Sequence, residues 1–198
     1  MKAGAASFLN RTGGSRLGCR ERRGTETNSA MIYVCNLPEM PAHVRNLRPS
    51  HLVSLLTAAE QPPTPDGLAA DRHHRVEIND IEQPRDGHVL PEARHIVALL
   101  GFLHGWQPSA PLLVHCFAGI SRSTAAALIA LVFRHDGREE EGARRLRQVA
   151  PHAQPNRRII ALADDLLGRS GRLIAAREAM GEAAMVPFGS LVRLDPLV

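Results

Sequence analysis

The chain has 198 residues, 44 % of them apolar and 22 % charged, with three cysteines. That length suits one domain with its own core, and the composition excludes a wholly disordered chain, a fibrous protein and a disulfide-stapled mini-protein. The net charge of +4 sits in residues 1–30, where Lys2 and five arginines face Glu21 and Glu26. The remaining 168 residues balance to zero, so the charge gives no reason to expect a nucleic-acid partner.

Residues 1–30 are rich in Gly, Ser, Thr and Arg and show no period. They are expected to be disordered, or to be an over-extension of the reading frame ahead of Met31. The short AASFL run is broken by Asn10 and Arg11 and is too short for a secretory core. No apolar stretch reaches the ~18–20 residues that cross a bilayer, so no membrane span is expected. The cysteines include no CxxC pair, which points to free thiols in a reducing cytoplasm.

From Met31 the pattern changes. Met31–Asn36 is a buried-strand candidate with Cys35 as a small core residue, and His51–Thr57 is a second strand. Residues 36–50 and 58–73 read as loops, the latter holding Pro62, Pro63, Pro65 and Gly67. Arg75–Ile78 alternates as a third strand and leads into Asn79-Asp80. His73 and His74 are adjacent and point opposite ways on a strand, so exposed histidines are expected there rather than a metal pair. Residues 90–104 suit a helix that buries Ala93, Ile96, Val97, Leu100 and Leu103. Leu112–His115 is a short apolar strand, and Ser123–Phe133 is apolar nearly all round, as a central buried helix is.

Arg138–Val149 predicts an amphipathic helix with a solvated start at Glu139–Glu141. Asn156 caps a predicted helix over 157–167 that buries Ile159, Leu162 and Leu166. A short helix from Ser170 to Met180 follows, and the final VPFGSLVRLDPLV has no period. Alternating strands and helices give an α/β fold: a small, largely parallel central sheet flanked by helices, with a short loop between a strand and a buried helix. The expected division is 1–30 as an N-terminal extension, 31–170 as the catalytic domain and 171–198 as a C-terminal helix and tail.

The chemistry gathers at that loop: His115-Cys116, five residues, then Arg122-Ser123 and the buried helix. A loop passing from strand to helix turns successive N–H groups inward and makes an anion nest, to which the helix dipole adds. A cysteine at its start is favoured as thiolate by the same field. Arg122 offers a planar fork for a phosphate, and Gly119 supplies the conformational freedom that the turn needs. Ser123 is placed to donate to the sulfur, and His115 to support the loop.

HCFAGISRS matches every fixed position of HCxxGxxRS/T, and so resembles the cysteine-dependent protein tyrosine phosphatases, dual-specificity-like branch. The resemblance spans about residues 31–170 and includes Gln154-Pro155-Asn156 after the loop. It implies a metal- and cofactor-free phosphomonoesterase with Cys116 as nucleophile. Phe117, Ala118, Gly119, Ile120, Ser121 and Arg122 would bind the phosphate. An aspartate some 30–40 residues upstream would be the acid; Asp80, in Ile-Asn-Asp-Ile, fits better than Asp86, whose Pro-Arg-Asp-Gly setting reads as a turn. The implied partners are phosphorylated proteins, on tyrosine and also serine or threonine, or small phosphomonoesters. Competing readings are a rhodanese-like sulfur or arsenate chemistry, a non-catalytic phospho-binding module and a phosphoinositide phosphatase. The uncharged side chains of 117–121 favour a singly phosphorylated substrate. Cys35 is the candidate partner for reversible oxidation of Cys116.

Overall fold

The computed structural model describes residues 31–107 and 109–197, so the N-terminal extension lies outside the described residues. Its strands are β1 (Ile32–Asn36), β2 (His51–Leu56), β3 (His73–Glu77), β4 (Leu112–Cys116) and β5 (Val192–Leu194). Its helices are α1 (Met40–Leu47), α2 (Ala93–Gly105), α3 (Arg122–Val132), α4 (Glu139–Val149), α5 (Arg157–Leu166) and α6 (Arg172–Ala179). The strands form one sheet in the order β3-β2-β4-β1-β5, all parallel except β5, which runs antiparallel to β1.

β4 occupies the middle, and every residue of it is buried. A central parallel strand is covered on both faces, which is why Leu112–Val114 is apolar without alternation. Successive residues nevertheless serve different layers. Ile32, Val34, Val53, Leu112 and Val114 join the large core shared with α3, α4 and α5, whereas Cys35, Leu52 and Leu113 pack under Met40 and Val44 of α1. All eleven residues of α3 are buried, as a helix without a polar face must be. The C-terminal ends of the parallel strands open on one edge, the edge at which open α/β sheets bind ligands. Among the described residues, no helix is long and apolar enough to cross a membrane.

Several expectations change. The segment 36–50 is not all loop, since α1 forms within it, with Pro41 in its first turn. The loop over 58–72 contains two single 3-10 turns, and β3 begins at His73 rather than Arg75. In α2 the buried residues are Ile96, Leu99 and Leu103, while Ala93 and Val97 face solvent. In α5 Ile159, Ile160 and Ala163 are buried, and Leu166 is exposed. His73 is buried rather than exposed, because the loop over 58–72 covers it: Thr64 Oγ1 lies 3.2 Å from its Nδ1. Glu139 is not solvated either; it is buried beside Arg169, with its Oε1 3.3 Å from the guanidinium Nε. The tail without a period supplies β5, a three-residue edge strand.

Candidate active site

β4 delivers Cys116 to the open edge of the sheet, and α3 starts six residues later at Arg122. Between them the loop carbonyls are held on the outside. Phe117 O accepts from Leu37 N at 3.0 Å, Ala118 O from Gly189 N at 2.8 Å and Ile120 O from Gln154 N at 2.9 Å. Ser121 O accepts from Ala125 N and Thr124 Oγ1, each at 3.0 Å. With the acceptors turned out, the N–H groups turn in, which is the geometry of an anion nest. Gly119 N donates to Cys116 Sγ at 3.3 Å. Ser123 Oγ lies 3.1 Å from the same sulfur, placed by the first turn of α3.

Gly119 is required twice over. Its φ is +74°, a region side chains rarely adopt, and a Cβ there would lie 2.9 Å from the carbonyl carbon of Cys35. The glycine lets the loop rest directly on the end of β1.

Arg122 is buried, although it is a cation. Its Nη1 donates to Ile78 O at 3.0 Å, which fixes the plane of the guanidinium. Its Nε is buried without a hydrogen-bond acceptor among the described residues. A buried charged donor left unfilled is uncommon and marks a place for an anionic acceptor.

Asp80 reaches this loop from the far end of β3. Its Oδ1 accepts from Ser121 Oγ at 2.7 Å and from Asn156 Nδ2 at 2.9 Å, and its Oδ2 is 3.7 Å from Arg122 Nε. Asn79 and Val89 clasp the base of the loop that follows: Asn79 N donates to Val89 O at 2.8 Å, and Val89 N donates to Asn79 Oδ1 at 2.8 Å. Asp86 lies out on that loop, in an exposed turn where His88 N donates to Arg85 O at 3.1 Å. The structure thus brings Cys116, Arg122, Ser123 and Asp80 together and leaves Asp86 apart.

Asn156 does more than cap α5. Its Oδ1 accepts from Ile159 N at 3.1 Å, while its Nδ2 holds Asp80. His115 points to the opposite face of the sheet from Cys116, where its Nε2 lies 2.6 Å from Ser54 Oγ. Burial, above all, pushes His115 down to about 4; the backbone of Cys116 opposes this and the Arg122 charge adds to it. A neutral imidazole there braces the strand end and carries no charge. Cys35 also lies on that opposite face, and burial first, then Cys116 and Glu39, push its thiol up. It is therefore a poor partner for reversible oxidation of Cys116.

The sequence reading missed two contributors. Residues 181–191 double back past the loop after β4, where Gly189 N holds Ala118 O and Asn36 Nδ2 donates to Gly189 O at 2.9 Å. No local pattern marks such a strap, since its partners lie about 70 and 150 residues away. Asn36, at the end of β1, was likewise not singled out.

No protein-family model and no curated protein sequence matches the chain. Solved structures do. The structure of DUSP15 superposes with a TM-score of 0.53 at 18 % identity, over 75 % of this chain and 89 % of that one. The PTP-2 phosphatase of Cydia pomonella gives 0.50 at 20 % identity, over 68 % and 84 %. PTPMT1 in complex with PI(5)P gives 0.51 at 15 % identity, over 73 % and 90 %. At these identities the likeness establishes the fold: the chain is built as the dual-specificity phosphatases are.

Proposed function

We propose that this chain is a cysteine-dependent phosphomonoesterase acting on phosphotyrosine, and also on phosphoserine or phosphothreonine, in proteins. The observation that carries this reading is one short loop on which a buried thiol with two polar neighbours faces a buried guanidinium whose Nε has no acceptor. The fold shared with DUSP15 and PTP-2 supports it.

In the first step Cys116 Sγ attacks phosphorus in line, an S–P bond forms and the P–O bond to the leaving group breaks. The loop amides and Arg122 hold the three equatorial oxygens as charge spreads over them. Asp80 gives its proton to the departing oxygen. In the second step Asp80 takes a proton from water, the water oxygen attacks phosphorus, and the S–P bond breaks to return the thiolate and release phosphate. Ser123 donates to the sulfur as it leaves.

PTPMT1 with PI(5)P raises a phosphoinositide as the alternative substrate. Phe117 to Ser121 carry no cation that would meet a second phosphate, so a single phosphate on a protein fits better. The test is hydrolysis of p-nitrophenyl phosphate in chelator and reductant across pH 4.5–8. Cys116→Ser and Arg122→Ala are expected to abolish it. Turnover that survives Cys116→Ser would sink the mechanism. Phosphopeptide binding without turnover in the wild type would instead support a binding module.

A further inference from the structure

The strap that crosses the phosphate loop ends in a wall beside it. Its position is tightly defined. Ala184 N donates to Pro151 O at 2.9 Å at one end, and β5 pairs with β1 at the other. Between them Gly189 is pressed so closely that a Cβ would lie 2.5 Å from His152 Nε2 and 2.7 Å from Gly119 O. Only glycine fits, and the strap cannot shift away without giving up the bond to Ala118.

The residue before this clamp is Phe188. Its ring meets that of Phe117, the residue next to the nucleophile, with centroids 6.0 Å apart and planes tilted by 41°. The two rings nevertheless stay 44 % and 43 % exposed. Val186 and Leu191 of the same strap are also partly open, and Met185 is fully exposed. Two paired and half-exposed aromatic rings, one of them next to Cys116, offer a ledge that a ligand can contact.

We propose that residues 184–191 form a wall of the active site. Within it Phe188, paired with Phe117, is a specificity-determining residue that favours phosphomonoesters whose ester oxygen carries an aromatic ring. The proposal rests on the phosphomonoesterase reading above. A phosphate seated against Arg122 leaves its organic group pointing out of the loop, past the two rings. A planar ring can pack on that ledge, whereas a short alkyl chain covers little of it.

The experiment compares kcat/KM for phosphotyrosine and phosphoserine in the full chain, with Phe188→Ala, Phe188→Trp and, as a remote control, Val97→Ala. Phe188→Ala is expected to lower the phosphotyrosine-to-phosphoserine ratio about two- to tenfold, the range of one aromatic contact. The loss should lie in KM for phosphotyrosine and not in kcat. Phe188→Trp should retain the ratio, and Val97→Ala should match the wild type. An active wild type whose ratio is unmoved by Phe188→Ala, or moved through kcat alone, overturns the ledge. A wild type inactive on both esters overturns the phosphomonoesterase reading and the ledge with it.

Discussion

Asp80 accepts from two donors, Ser121 Oγ in the loop after β4 and Asn156 Nδ2 at the cap of α5, and its Oδ2 lies 3.7 Å from Arg122 Nε. In the proposed mechanism this carboxyl serves the leaving oxygen. Its removal should matter most when the leaving group is a poor one. Asp80→Ala is expected to lower kcat on an alkyl phosphate about 10²- to 10⁴-fold, and much less on p-nitrophenyl phosphate. Asp86→Ala, altering only an exposed turn, should leave both rates unchanged; equal losses in the two variants would remove Asp80 from the acid role. Asn156 separates two duties on one side chain. Asn156→Ala should cost about 1 kcal/mol through the lost cap. Asn156→Asp keeps a capping oxygen but turns a carboxylate towards Asp80, so it should retain more stability than alanine and still lose activity. The cap is legible in the sequence because its partner is three residues on. The contact with Asp80 spans 76 residues, and no local pattern records it.

At the level of elements, one buried arginine ties the helices behind the loop. Arg169 donates from Nη2 to the carbonyls of Val132 and Phe133, each at 3.3 Å, and so satisfies the last turn of α3. Its Nε lies 3.3 Å from the buried Glu139 at the head of α4, and its Nη1 pairs with Asp136. Arg169→Ala would remove one of the two arginines beside the buried Glu139, leaving Arg172 Nε 3.5 Å from its Oε2, together with the bonds to the end of α3, and is expected to destabilise the fold by about 1.5–3 kcal/mol. Urea titration reads this directly. A loss under about 1 kcal/mol would place the pair among surface-like bridges. The reason Glu139 reads as solvated is instructive. Three glutamates in a row resemble the wet start of a helix, and burial by a cation 30 residues on is invisible to periodicity. α1 escapes notice because only Met40 and Val44 of its eight residues are buried, too few to set a period. β5 escapes because a three-residue edge strand borrows its stability from β1. The strand–loop–helix unit around Cys116 is legible because its apolar run, its glycine and its charged residue all lie within one short stretch.

Across the whole molecule, burial of histidines links the fold to acid. Ser54 Oγ sits between two imidazoles, 2.8 Å from His73 Nε2 and 2.6 Å from His115 Nε2. A hydroxyl has one hydrogen, so it donates to one ring and accepts from the other, an arrangement that suits two neutral imidazoles. Burial first, then the charges of Arg75, His115 and His74, push His73 down to about 4, matching His115. Burial also lowers His51, His74 and His152. The unfolded chain takes up these protons near 6.5 and the folded chain does not. The stability that His73 and His115 contribute is therefore complete above about pH 6.5 and is lost as pH falls towards and through 4, and the other three add to the loss on the acid side of 6.5. For His73 and His115 that window runs from about 6.5 to about 4. The expected outcome for Cys116→Ser protein is a flat Tm above neutrality and a steep fall between pH 6.5 and 4. His73→Gln keeps a donor and an acceptor beside Ser54 but does not titrate, so it should make that fall shallower. A Tm that holds level from pH 6.5 to 4.5 would overturn the linkage. Because His115 immediately precedes Cys116 and its Nε2 lies 2.6 Å from Ser54 Oγ, protonation there is expected to loosen the end of β4, so activity and Tm should decline together on the acid side.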